Sequence, residues 1–562
     1  MPCATRSIRS SASEGNCGGP GSSVGKSTRQ QGGETVKARK WMATVVPATA
    51  VLFAAQGLAY AEPQRGGNLV FAVSLGEPAT LDCHAAGSLN VMYRVAPHYS
   101  TLLTIDPANY PKVVGDVAES WTVSDDGLVY EFKLRPNIKF HDGSALTSAD
   151  VRASFERMRN PPPGVVSVRK ELYNDVAAID TPDPQTVVFR LSQPNVSMLA
   201  LFAQPYGCIY SESLLGSDPA YPAKKVMGSG PFKFVHYTPG AEWVGERFPE
   251  YFRQGLPYLD GFKALSLTPA ATVNALAAGQ VMVDFRGVSP LEAERIVASR
   301  GKEVQIFEAN PAISTLFMAS VNTQKPALAD VRVRKALALA LDHWGGSKAM
   351  ERTSTLSVVG ALARPGSEFA RSNAELERLP GFGRDMEAAR AEARRLLAEA
   401  GQTDLKLTFL NRKPWPFLGV YLIDQLRQVG VTMVQEQVED PQFFARRRAG
   451  DFDLTVEYLP DYLDDPTAKW SNFISFERNP SNISRYSDKK VDALMEEQAR
   501  IPDPAKRLAV IHGLEEHILN QGYTLPLFWG RRTTVVDSKL QGYVAAPTNY
   551  VGQDLSHFWL KH

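Results

Sequence analysis

From residue 403 onward the apolar pattern changes period in regular alternation, and this restricts the fold more than any other feature of the chain. Residues 405–409 alternate as a strand, 417–429 repeat as a helix stopped by Gly430, and 431–436 are again strand-like. Residues 441–449 then read as a helix ended by Gly450, and 453–459 as a third strand. A βαβαβ run predicts a mostly parallel sheet with helices on both faces, an α/β architecture whose ligands sit at the carboxyl ends of strands. Just upstream, Asp385 caps an alanine-rich helix that runs to Ala400 and stops at Gly401.

The first half has another texture. Residues 67–73 read as a buried strand running into the turn Gly76-Glu77-Pro78, and 129–134 and 186–191 alternate as half-buried strands. Between the latter two, Thr147 or Ser148 caps a helix with Ala149-Asp150-Val151 in its first turn, broken at Asn160-Pro161-Pro162-Pro163. That is a small α+β module. A chain of 562 residues exceeds one hydrophobic core and predicts about three or four structural units. No internal repeat is visible.

The N-terminus carries a processing signal. Val36-Lys37-Ala38-Arg39-Lys40-Trp41 supplies a basic stretch, residues 42–58 an apolar one, and Ala59-Tyr60-Ala61 a small-residue cleavage site. Residues 36–61 therefore read as a secretory signal peptide cut after Ala61, within a leader spanning 1–61. Pro47, Gln56 and Gly57 interrupt the run, against a retained membrane anchor. Val36 is the expected true start, as a GTG codon read as valine. Gly25-Lys26-Ser27 lacks the glycine a phosphate loop needs five positions earlier, where Pro20 stands. Beyond the leader the chain keeps 54 basic and 58 acidic side chains, a formal charge of −4. A mildly acidic chain without a basic stripe argues against nucleic acid as a partner. Arg446-Arg447-Arg448 reads as one solvated helix face. Outside the leader only Cys83 and Cys208 remain; in an oxidising compartment they either pair or serve as two small buried residues.

Catalytic constellations are absent from the pattern. Gly228-Ser229-Gly230 lacks the frame of a nucleophile elbow and reads as a turn. His512 and His517 are five apart, so they do not share a helix face as a zinc pair does, and read as exposed helix residues. His141-Asp142-Gly143 is a turn signal. Asp461, Asp464 and Asp465 lack the spacing and glycine of a calcium loop. Neither a metal nor a cofactor is expected, and the chain does not read as an enzyme.

Several blocks, in order, resemble the large solute-binding proteins of peptide and nickel uptake transporters, family 5. They are residues 115–147, Gly228-Ser229-Gly230-Pro231-Phe232 with Pro239-Gly240 and Glu246-Arg247, and residues 317–342 with Asn322, Val333-Arg334, Ala336-Leu337, Ala340 and Asp342. Asp451-Phe452-Asp453, Asp465-Pro466, Tyr486-Ser487 and Leu525-Pro526-Leu527 complete the set. The resemblance spans nearly all of 66–562. It implies a two-lobed periplasmic binding protein of type II-like α/β fold, with an additional α+β domain inserted in lobe 1. The boundaries that follow are 62–98, 206–317 and 528–562 for lobe 1, 99–205 for the inserted domain, and 318–527 for lobe 2. The implied function is the periplasmic substrate-binding subunit of an ABC importer. It captures a peptide or similar small polar solute and, as a monomer, delivers it to an inner-membrane permease with its ATPase. The competing readings are a secreted peptide hydrolase and a sensory or chaperone-like protein on the same fold. The ligand stays open among peptides, metal chelates, opines and sugars.

In peptide-binding relatives an acidic residue just before the Asp-Pro pair holds the ligand's α-amino group; the resemblance puts Asp461 or Asp464 in that role. This chain departs from the family pattern there, reading Tyr458-Leu459-Pro460-Asp461 with one extra residue before Asp465. Independently of the resemblance, Asn411-Arg412-Lys413-Pro414-Trp415-Pro416-Phe417 follows a strand's carboxyl end and joins an aromatic to cations. Arg412 is a candidate charge-assisted donor to an anionic group and Trp415 a candidate wall, or else a packing residue of the turn. Tyr458 completes the candidate ligand-binding set.

Overall fold

The computed structural model describes residues 62–459 and 463–562, with the backbone alone for 309–314. The signal peptide read at 36–61 and the candidate Asp461 lie outside the described residues. Among those described, no helix is long and apolar enough to cross a membrane.

The βαβαβ segment is present, its elements shifted by a few residues. Strands Lys406–Arg412, Thr432–Val438 and Leu454–Leu459 enclose helices Pro416–Arg427 and Asp440–Ala449. The first strand pairs in parallel with both others, leaving its carboxyl end between theirs. The second helix stops where Gly450 takes φ +75°, which spares a side chain the left-handed penalty. Upstream, Asp385 accepts a 3.0 Å hydrogen bond from the Ala388 amide and opens helix Met386–Glu399, which buries Ala393 and Leu397, one turn apart.

These three strands form one end of an eleven-stranded sheet. Its middle consists of two long antiparallel strands, Val304–Val321 and Thr524–Asp537. Beyond them come Val283–Asp284, Asn68–Val73, Gly261–Ser266, Glu242–Arg247 and Phe232–Thr238. The near part of Val304–Val321 pairs only with Thr524–Asp537, whereas residues 316–321 pair also with Leu454–Leu459. The pairing slips between Glu308 and Ile313, again before Leu316, and between Phe317 and Met318. Bulges of this kind bend and twist a ladder, and here they fall where the two lobes meet. The expected boundaries near 318 and 528 thus fall inside continuous strands.

Alternation places successive residues of that strand in different cores. Phe317, Ala319 and Val321 pack with Phe409, Leu418 and Leu422 on one face; Leu316 and Met318 pack with Trp470, Ile511 and Trp529 on the other. Helices therefore cover both faces of the second lobe's sheet. In the other lobe, a four-stranded antiparallel sheet of Ala118–Val123, Val129–Leu134, Thr186–Leu191 and Val176–Asp183 stands apart from the main sheet. Helix Ser148–Arg159 packs on it, opened by a capping box between Thr147 and Asp150. Phe132 and Phe189 of this sheet, Phe155 of the helix and Phe202 of the short helix Met198–Phe202 join Leu69, Phe71 and Trp243 in one core cluster.

The structure joins Cys83 to Cys208, with Cα atoms 6.1 Å apart. Gly228 and Gly230 are dictated by close approach: a Cβ on either would lie within 2.5 Å of the His98–Tyr99 backbone or ring. His512 and His517 are not exposed helix residues. Both are half-buried, His512 against the Phe369 carbonyl at 3.1 Å and His517 against Asp488 at 2.8 Å.

Candidate ligand-binding cleft

The strand ends that the fold turns toward one another supply the site. In lobe 2 the turn after Lys406–Arg412 is fixed by Asn411, fully buried, whose amide donates to the Trp415 carbonyl and to Gln435, both at 2.7 Å. This holds Trp415 over Phe317, ring centroids 4.5 Å apart, and Phe317 lies 6.0 Å from Tyr458. Arg412 stands beside Tyr458, but its guanidinium is forked onto Asp440, with Nε to Oδ1 at 2.8 Å and Nη2 on Oδ2. Burial alone would lower the Arg412 pKa; the Asp440 pair outweighs it and holds the group above its ordinary value.

Arg412, Trp415 and Tyr458 are thus brought together, and Asp464 belongs to another set of contacts. Its two oxygens take Nε and Nη2 of Arg364 at 2.8 and 2.6 Å, and Tyr110 donates a further hydrogen bond. Burial would raise the Asp464 pKa, yet these donors hold it below the usual carboxylate range. Its neighbour Asp465 caps helix Pro466–Lys469 and takes Arg507 at 2.8 Å. Ser197, in the segment after Thr186–Leu191, meets Thr467 and Arg507 at 2.8 and 3.0 Å, a seam between the first half of the chain and lobe 2.

The opposing wall was not read from the sequence. Two parallel strands end side by side there, Asn68–Val73 and Val283–Asp284. Asp284 accepts from the Ser74 hydroxyl at 2.9 Å and, through its other oxygen, from the Arg286 amide at 3.0 Å. Burial pushes its carboxyl up to about 6. Gly287 closes the turn with φ +85°, where a Cβ would lie 2.8 Å from the Thr533 carbonyl oxygen and from Arg532. The turn presents the half-buried Arg286 across the cleft, its guanidinium 4.8 Å from the Trp415 ring centre. Among the described residues this guanidinium has neither a carboxylate within salt-bridge distance nor a hydrogen-bond acceptor. Burial draws the Arg286 pKa below its ordinary value, as does the nearby charge of Arg412, while Asp284 and Tyr93 act the other way. Tyr93 beside it is fully buried, with its hydroxyl unpartnered among the described residues. A two-residue strand carries no alternation, so the only sequence signal was the Asp-Phe-Arg-Gly turn itself.

A cavity of about 450 Å³ lies between residues 96–116 and 542–558, with Asp116, Arg253, Phe285 and Tyr543 in its wall. None of its lining residues falls in 318–527, so a molecule there would not touch the Arg412–Trp415 wall. Among the described residues no cluster of histidine, cysteine and carboxylate side chains could hold a metal ion.

The model of the family described as "Bacterial extracellular solute-binding proteins, family 5 Middle" matches residues 112–479. A curated relative, "Probable di/tripeptide-binding protein 5" of Pseudomonas aeruginosa (strain UCBPP-PA14), is 27% identical over 485 residues, covering 80% of this chain and 87% of its own. Among solved structures, the ABC transporter-associated periplasmic binding protein DppA of Helicobacter pylori, in complex with the peptide STSA, superposes with a TM-score of 0.78 at 21% identity. The match covers 89% of this chain and 99% of that one. AgaA of A. tumefaciens R10, in complex with agropinic acid, gives 0.77 at 25% identity over 88% and 99%. The two-lobed fold is therefore that of periplasmic binding proteins, whose work is binding and not catalysis. With the family model matched over more than half its length, this chain belongs to the bacterial extracellular solute-binding proteins, family 5.

Proposed function

We propose that the chain is the periplasmic capture subunit of an ABC importer, exported by the signal peptide at 36–61 and released after Ala61. It holds a peptide or similarly small polar solute between its lobes and, as a monomer, presents it to a membrane permease driven by an ATPase. The observation that carries this reading is the apposition of Trp415 and Arg286 across the cleft, an aromatic wall from one lobe facing a cation from the other. A ligand that touches both walls stabilises the closed form by its differential affinity for it.

Arg412, Trp415 and Tyr458 form the lobe 2 wall of the proposed site. Of the two acidic candidates, Asp461 is the better anchor for an α-amino group, because the Asp464 carboxylate is committed to Arg364. The names of the relatives support a peptide, and the likeness to an opine-binding structure keeps a carboxylated amino-acid conjugate as the alternative. Native mass spectrometry of the protein isolated from its own periplasm tests the reading. A stoichiometric peptide on a monomer is expected; a different bound molecule removes the peptide assignment, and steady turnover of added peptides would overturn binding without catalysis.

A further inference from the structure

We infer that Arg286 is a carboxylate anchor, taking an acidic group of the solute from the lobe 1 side of the cleft. The inference rests on the reading of this cleft as the solute site and adds to it the ligand's chemistry.

Three observations converge on it. A guanidinium removed from bulk water normally finds an anion, because the desolvation of its charge is otherwise uncompensated. Arg286 has none among the described residues, although Asp284 is two positions away: its oxygens are engaged by Ser74 and by the Arg286 amide. The second observation is Tyr93, whose buried, unpartnered hydroxyl lies within electrostatic reach of both Arg286 and Asp284 and provides another donor on the same wall. The third is the surrounding charge. Arg412, the cation facing Arg286 from lobe 2, is neutralised by its fork on Asp440, so of these two facing cations Arg286 is the one that no described carboxylate matches. The guanidinium carbon lies over the Trp415 ring, 4.8 Å from its centre. A planar guanidinium fork favours bidentate recognition of a carboxylate.

The test compares each acid with its uncharged counterpart. Ligand-stripped protein, refolded from denaturant, is titrated calorimetrically with trialanine and with trialanine amide, and with an N-carboxyalkyl amino acid and its methyl ester. The wild type should prefer an acid by roughly 10- to 100-fold, the range of one charged hydrogen-bond set. Arg286→Gln should abolish that preference by weakening the acid alone, with an unchanged melting temperature. Arg286→Lys keeps the charge without the fork, and should retain only part of the preference; it decides the matter should the glutamine variant fail to fold. An undiminished preference in both folded variants overturns the inference, as does a wild type that binds neither acid. Binding of the conjugate but not of trialanine would end the peptide reading alone, with Arg286 then judged on the conjugate and its ester.

Discussion

Arg364 and Asp464 form a forked ion pair with side chains only 4% and 8% exposed. Two charges so far from water hold each other, and removing either takes this forked contact from its buried partner. Arg364→Ala should therefore destabilise the protein by about 3–5 kcal/mol, read from urea unfolding, whereas joint replacement by Met and Leu should cost far less. The two acidic candidates separate in the same way. Asp464→Ala should lower the melting temperature. Asp461→Ala should weaken a peptide with a free amino group by roughly tenfold or more, as loss of one charge-assisted contact does. Affinity unchanged in Asp461→Ala, measured by calorimetry, would remove that anchor.

Among elements, the disulfide has the largest expected effect. Cys83 and Cys208 are separated by 125 positions, and both sit in the core that joins the four-stranded module to the main sheet. Closing so long a loop in the unfolded chain is worth up to about 5 kcal/mol. Reduction, or the Cys83→Ala and Cys208→Ala pair, should lower the denaturation midpoint accordingly, and an unchanged midpoint would show that the core alone fixes this region. Some elements were legible in the sequence and some were not, for physical reasons. The strands and helices of 405–459 were readable because each buries one face, which enforces a period, and Gly430 and Gly450 punctuate them. Arg412 and Trp415 were picked out as candidates because they lie at a strand's carboxyl end. Val304–Val321 was not, since Asn310-Pro311 breaks its pattern at the bulges. Arg286 was missed because the strand before it is two residues long, and the Cys83 to Cys208 bridge stayed one of two alternatives because spacing carries no information on Cα distance.

At the scale of the whole molecule, the response to acid follows from buried imidazoles. His98 donates through Nδ1 to the Phe232 carbonyl at 2.7 Å and accepts at Nε2 from the Trp243 indole at 2.9 Å, an arrangement only the neutral ring can make. Burial holds His84 and His98 down to about 3 and His141 to about 4. The unfolded chain binds these protons near pH 6.5 and the folded one does not, so their contribution is complete above 6.5 and is lost as pH falls toward 3. Asp284, raised to about 6, acts with the opposite sign between about pH 4 and 6, as do the raised carboxyls of Asp116, Asp150 and Glu457, while the lowered His343 acts with the other imidazoles. Stability should thus fall between pH 6.5 and 4 by up to about 1.4 kcal/mol per histidine per unit. Urea unfolding at a series of pH values measures this, and nuclear magnetic resonance should find the His98 ring neutral at pH 5.

The long central strands have a consequence for how such a chain can change over generations. Ser320 lies opposite Thr524 in the ladder, so residues 322–523 leave and rejoin the sheet at adjacent points. Everything between them is an uninterrupted stretch of gene whose product begins and ends in the same place. A recombination event with one breakpoint in each strand would exchange the Arg412–Trp415 wall wholesale and leave Arg286 behind, so that the two halves of the proposed site are inherited separately.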